Sequence, residues 1–338
     1  MDKDEVKSYV EKRYNLKIQS IEQLKNVFKI KTTEREYCLK TINYGIDHFL
    51  FIVAAIKHLQ NNNFENIPQI IKTDDNKDYI ELDGRYAYFT EWVNAKKSDY
   101  SNEEQLKIVS RKLAELHLKS ENFKIEKYMK PRVGWLKWID TFSTRKCEIL
   151  DFKERILKKT SMDIFDKTYL NVMDEELIRA ENSINNLKKS LYFNSMKEEI
   201  ELKGFCHHDF AYHNILIDDI NNIYVIDFDY CILDTHLHDL ASLLIRRMKY
   251  NNWSIKNSKE IISEYNKIYP IKDSDIPIMA AFMEFPQDYW QRGIQYYWEK
   301  KNWGIDFFMK KLTHYIEDRD KKQSFINEFK NKKVRQII

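Results

Sequence analysis

The 338-residue chain holds only 6 glycines and 5 prolines. Loops are punctuated mainly by these two residues, so there is little room for linkers or low-complexity tracts, and no internal repeat is evident. The 4 cysteines, Cys38, Cys147, Cys206 and Cys231, lie far apart and form no C-x-x-C pair. That excludes a disulfide framework and a cysteine zinc site, and predicts reduced core residues. The longest apolar run, residues 49–56, is too short to cross a bilayer, and the start, Met1-Asp2-Lys3-Asp4-Glu5, is charged rather than apolar. A chain made in the cytosol, with no membrane partner, is expected. Neither sign of charge dominates: 56 Lys and Arg stand against 53 Asp and Glu. No basic stripe interleaves with stacking aromatics, so no nucleic acid partner is expected. What is present is 43% hydrophobic residues, 14% of the chain being aromatic. This is enough for one or two domains with real cores.

The most informative stretch is His207-His208-Asp209-Phe210-Ala211-Tyr212-His213-Asn214, followed by Ile226-Asp227-Phe228-Asp229. Read as H-x-D-x4-N and then a hydrophobic residue with Asp-Phe, it is the set that phosphoryl transfer from ATP requires on a kinase-like fold. One acid must sit beside the acceptor hydroxyl, which is the role expected for Asp209. An amide oxygen and a second carboxylate must hold Mg2+ against the phosphates, the roles expected for Asn214 and Asp227. Residues 215–217 and 223–226 read as strands joined by the turn 218–222. Both metal ligands would then hang on one hairpin and offer the oxygens a hard cation prefers.

From Phe205 to Ser242 the chain resembles the aminoglycoside and choline kinase-type phosphotransferases. Within them it is most similar to the CotS-type spore coat proteins of endospore-forming bacteria. The Tyr212-His213-Asn214 triplet, the Ile226 to Tyr230 string and the pair Arg246-Arg247 with Asn252-Trp253 carry that likeness. Phe51, His58-Leu59, Glu91-Trp92, residues 113–117, Pro131-Arg132 and residues 135–138 agree with it.

The resemblance implies an α+β, bilobal protein kinase-like fold, with a small N-terminal antiparallel sheet lobe and a large, mainly helical C-terminal lobe. Residues 1–93 would form the nucleotide-binding lobe, with a hinge near 90–95. Residues 96–338 would form the catalytic and acceptor-binding lobe, with a helical insertion near 122–203 that helps shape the acceptor pocket. Lys40 would contact the ATP phosphates, and the backbone of Glu91 and Val93 would read adenine. His207 would pack and hydrogen-bond between the loop and the Asp227 strand. Asp229 stands where the familiar D-F-G has glycine and is expected as a second metal or water ligand, and Asp239 as a buried brace of the catalytic loop. Partners would be a small-molecule hydroxyl acceptor and other spore coat proteins, in a chain made in the mother-cell cytoplasm and then held in the coat.

Two departures from the kinase pattern stand out. The turn between the first strands, at residues 25–28 or 32–33, has no glycine to cover the phosphates. The helix expected at 46–60 offers Asp47 but no Glu to pair with Lys40. An alternative follows, a catalytically weak or inactive kinase-fold component of the coat. A third reading takes His207, His208, Asp209, His236, His238 and Asp239 as a transition-metal phosphohydrolase centre, since imidazole and carboxylate suit such ions.

Other segments carry blander expectations. Ser101 to Glu104 reads as a capping box. Lys130, Arg132, Lys137 and Arg145 read as a basic cluster around Trp135 and Trp138 that binds an anion or, more simply, covers apolar surface. Residues 284–297 read as either a polar acceptor grip or a helix core with a polar rim. Residues 318–333 read as an exposed charged helix.

Overall fold

A computed structural model describes residues 3–338. It opens with helix α1 (Lys3–Tyr14), which the run of charges at the start disguises. Val6, Val10 and Tyr14 recur every four residues and are its buried face. They pack on strands β1 (Ile18–Leu24), β2 (Val27–Thr32) and β3 (Glu36–Ile42), which precede helix α2 (Ile46–Asn61), β4 (Ile80–Leu82) and β5 (Arg85–Glu91). The five strands form an antiparallel sheet in the order β1-β2-β3-β5-β4. Phe28, Ile30, Leu39, Ala87 and Phe89 alternate inward from it, as a half-buried sheet requires. The turn between the first two strands is the tight Lys25-Asn26, across which Leu24 pairs with Val27, with Lys25 at φ 59°. The Asn26 carbonyl accepts from the Thr41 N–H (2.9 Å) and hydroxyl (2.8 Å), which ties this glycine-free turn to β3.

A second, three-stranded antiparallel sheet joins β6 (Lys96–Lys97), β7 (Ile215–Ile217) and β8 (Ile223–Val225) in that order. Asp218 closes the β7–β8 turn by accepting from the N–H groups of Ile220 and Asn222 and from the Asn222 amide.

The remainder is helical: α3 (Glu103–Ser120), α4 (Trp138–Leu157), α5 (Ile164–Lys189), α6 (Tyr192–Leu202), α7 (Leu237–Met248), α8 (Ile255–Asn266), α9 (Asp275–Glu284), α10 (Gln287–Gly293), a π-helical turn at Ile294–Trp298, α11 (Ile305–Phe329) and α12 (Val334–Ile337). The cap of α3 is Asn102, whose Oδ1 accepts from the Gln105 N–H at 3.1 Å, rather than Ser101. At α5 a capping box of Asp163 and Asp166 starts the helix.

Residues 1–99, 112–133 and 203–233 make up one compact unit, and residues 100–111, 134–202 and 234–338 another. The second unit's core centres on Phe152, Phe165, Tyr169, Tyr289, Tyr297 and Phe308. Tyr169 and Tyr289 stack at 4.0 Å and each hydroxyl donates to the other residue's carbonyl, so both phenols are buried and satisfied. Residues 284–297 are thus largely core with a polar rim: Tyr296 donates to Asp163 (2.7 Å) and Arg292 to Gln295.

Three expectations are corrected. The basic cluster is not one cluster, because Arg132 lies over Tyr44 and Tyr230 while Arg145 lies over Trp290 and donates to Gln287. Residues 318–333 are not a wholly exposed helix: Asp318 is buried, accepting from the Asn251 N–H and the Trp253 indole. Cys147 is exposed, not a core residue, whereas Cys206 and Cys231 are buried.

Candidate active site

The site lies within the first unit and is built on β3, β5, the β7–β8 hairpin and the loops that flank it. Lys40 is on β3, opposite Tyr88 of β5, and only 5% exposed. A buried ammonium needs anions around it. Two supply them: Asp227 Oδ1 at 3.0 Å and Asp229 Oδ2 at 3.1 Å. No acid on α2 is involved. The acids that orient Lys40 lie 187 residues or more further along, which is why inspection of α2 could not find them.

Burial alone would lower the Lys40 pKa, but the two carboxylates outweigh it and hold the ammonium above its ordinary value. Burial would likewise raise Asp227, yet the Lys40 charge and hydrogen bond win and keep it ionised, below the usual carboxylate range. Asp229 goes the other way: burial, reinforced by the Asp227 charge, pushes it up to about 7. Two carboxyls this close cannot both ionise freely beside one ammonium.

Asp227 sits just past β8 in the left-handed region, φ 67°, and His208 of the opposite loop is there as well at φ 66°. For non-glycine residues such backbone costs about 1 kcal/mol each and persists only when its surroundings fix it. Here they do. The His207 ring, fully buried, places Nε2 2.9 Å from the Ile226 carbonyl, so Nε2 carries the proton. Nδ1 is then bare and accepts from the Asp209 N–H at 3.3 Å. The Ile226 N–H donates to the Asn214 carbonyl at 3.0 Å, and Asn214 Nδ2 donates to both the backbone oxygen and Oδ2 of Asp209, each at 3.0 Å. His213 Nε2 lies 3.7 Å from the same Oδ2. Asp209, Asn214, Asp227, Asp229 and Lys40 are therefore joined in one bonded set.

The donor atoms fit a hard cation. With its nitrogen turned to Asp209, Asn214 has its carbonyl oxygen left to offer. Asp227 adds carboxylate oxygen, and Asp229 Oδ1 is buried with no hydrogen-bond partner among the described residues. An orphaned buried oxygen next to the Asp227 carboxylate, with which Asp229 shares Lys40, is what such an ion would satisfy.

Next to this set opens a cavity of about 230 Å3. Leu24, Val27, Ile67, Leu216 and Val225 give it apolar walls, Lys40 and Asp227 a polar end, and Glu91, Trp92 and Val93 one edge. The Trp92 N–H is spent on the Glu36 carbonyl (2.9 Å), and by strand alternation the Glu91 and Val93 backbone groups are those turned the other way. Arg35 pairs with the exposed Glu91 side chain at this edge, and nothing local in the sequence signals that pair.

Asp239 is fully buried on α7, 3.2 Å from His238 Nδ1, in the second unit. His236 in that unit bonds Glu199. With the His207 ring committed to Ile226 and Asp209, the structure gives the phosphohydrolase reading no support.

Spore coat protein S of Bacillus subtilis (strain 168) is 24% identical over 306 residues, spanning 90% of this chain and 86% of that protein. A crystal structure of an aminoglycoside phosphotransferase from Alicyclobacillus acidocaldarius superposes with a TM-score of 0.81 at 21% identity, covering 96% of this chain and 93% of that one. An AMP-bound spectinomycin phosphotransferase gives 0.72 at 14% identity, covering 97% and 99%. The fold is thus that of the aminoglycoside and choline kinase-like phosphotransferases, as the resemblance implied. Residues 7–329 match the model of one family throughout, and the chain belongs to that family, described as "Spore coat putative kinase YutH".

Proposed function

We propose that the protein is a spore coat-associated, ATP-dependent phosphotransferase acting on a hydroxyl of a small molecule. The observation that carries this reading is the bonded set Lys40, Asp227, Asn214 and Asp209 at the polar end of an apolar cavity. Asp209 orients the acceptor hydroxyl and takes its proton, with its carboxylate steadied by the Asn214 amide. Lys40 neutralises charge on the nucleotide phosphates. Asn214 and Asp227, with Asp229 beside them, are the oxygen ligands for Mg2+, which when bound would supply charge neutralisation of the phosphates. The backbone of Glu91 and Val93 reads the adenine edge, and His207 and Asp239 act as supports. Positioning and electrostatics supply most of the rate in this chemistry.

Residues 1–93 form the nucleotide-binding part of this reading and residues 96–338 the catalytic and acceptor-binding part. The relatives' names support residence in the spore coat, and synthesis in the mother cell and association with other coat proteins belong to the same proposal.

The test is ATP consumption across a panel of hydroxyl metabolites, with Asp227→Ala as background. Activity that Asp209→Asn lowers by about 100-fold or more supports the reading, and activity unchanged by that substitution refutes the base. One second reading has an observation in its favour. The turn Lys25-Asn26 lacks glycine, which suits a coat component that binds nucleotide weakly or not at all. No rise in melting temperature with ATP and Mg2+ would favour it.

A further inference from the structure

In the second unit, a separate cleft of about 390 Å3 lies where the ends of α5, α9 and α11 meet. It shares no residue with the candidate active site. Its deepest polar group is Glu284, at the end of α9 and only 4% exposed. Oε2 accepts from the Asn186 amide at 2.6 Å and Oε1 from the Gln323 amide at 2.9 Å. Both donors are neutral, and no cation lies within ion-pair distance among the described residues. A carboxylate has about four acceptor positions; here two are filled, both by neutral donors. Burying an ionised carboxylate without a cation is costly; Glu176 has Arg179 and Arg319 and Asp166 has Lys159, whereas Asp318, like Glu284, rests on two neutral donors. Glu284 instead faces an open cleft. Pro277, Ala280 and Ile326 supply an apolar wall, and Lys189 and Lys330 stand among its lining residues.

We propose that this cleft is a binding site for a small organic ammonium compound, whose charged nitrogen pairs with Glu284 and whose carbon chain lies on Pro277, Ala280 and Ile326. Lys189 and Lys330 favour a ligand carrying a carboxylate at its other end, an amino-acid-like zwitterion. Two amide donors hold Glu284 in place at the cleft, where a cation from outside the chain would pair with it, and the cleft admits only a small one.

The experiment uses the full chain and three probes: n-butylammonium, gamma-aminobutyrate and butyrate. With wild-type protein, a saturable rise in melting temperature of about 2–4 °C is expected for the two ammonium probes at about ten times their Kd, larger for the zwitterion at equal concentration, and none for butyrate. Glu284→Gln keeps the shape and removes the charge, so the ligand-free variant is expected to melt at or above wild type while the shift vanishes. Pro277→Trp, at a half-buried wall position in the first turn of α9, fills the cleft without touching Glu284 and should abolish the shift as well. Loss of the shift in both variants supports the site. The proposal is overturned if neither ammonium probe shifts the wild type, or if a shift survives in either variant, since that ligand then binds elsewhere. Neither variant touches the bonded set around Lys40, so a failure here leaves the phosphotransfer reading standing.

Discussion

Replacing Asp229 by Asn should make the protein's stability less dependent on pH across the neutral range. In the folded chain Asp229 is raised to about 7, first by burial and then by the Asp227 charge; in the unfolded chain an aspartate titrates near 3.9. A carboxyl whose folded pKa is the higher one contributes stability that is complete below the unfolded value and lost as pH rises through the folded value. Integrating between these two values, ionisation of Asp229 penalises folding by ~1.5 kcal/mol at about pH 5 and ~4 kcal/mol at about pH 8, a difference of ~2.5 kcal/mol. Neighbouring groups do not contaminate that window. Asp227 is lowered, so its contribution is lost only in acid, and Lys40 is raised, so its contribution is lost only in strong alkali. Asn at 229 preserves the neutral form and cannot ionise. Urea titrations of the nucleotide-free protein and of Asp229→Asn at about pH 5, 6, 7 and 8 would read the effect as midpoints at common m-value. Wild type should fall steadily relative to the variant as pH rises. Parallel curves across the range would refute both the raised carboxyl and the geometry said to cause it.

Two further outcomes concern packing and backbone. A Cβ at Gly293 would overlap the Phe152 ring and the Tyr169 hydroxyl, so Gly293→Ala should lower stability by about 1–3 kcal/mol in chemical denaturation, through overpacking of the second unit's aromatic core; a near-neutral effect would mean that this core can yield. Lys25 holds φ 59° in its two-residue turn, so Lys25→Gly should stabilise the protein by about 0.5–1 kcal/mol, and a loss on thermal melting would contradict the left-handed assignment.

What could be read from the residues alone follows the range of the forces involved. Asp209, Asn214 and Asp227 lie within nineteen positions of one another on a loop and hairpin, and local turn chemistry is enough to bring them together. The partnership of Lys40 with Asp227 and Asp229 spans 187 and 189 positions, and only the completed fold reveals it. Helix α1 is hard to read from the sequence because ten of its twelve residues are polar or aromatic and carry no strong apolar stripe; three side chains at four-residue spacing are enough to bury one face. Asp318 read as a surface charge because its two donors, the Asn251 N–H and the Trp253 indole, are more than sixty residues away. The basic side chains near Trp135 and Trp138 are close in sequence, but they turn to different aromatic rings. The glycine-free turn, by contrast, was plain from composition, and its backbone tie to Thr41 is what the missing glycines left room for.

The ring of His207 has one further effect. Because one imidazole nitrogen grips the carbonyl before Asp227 and the other grips the amide of Asp209, the separation of these two chain segments is set by the width of an aromatic ring, which thermal motion barely alters. The imidazole thus acts as a gauge block between the two segments. Segments clamped this way drift together or not at all, so their spacing is preserved even where the surrounding loops exchange conformations.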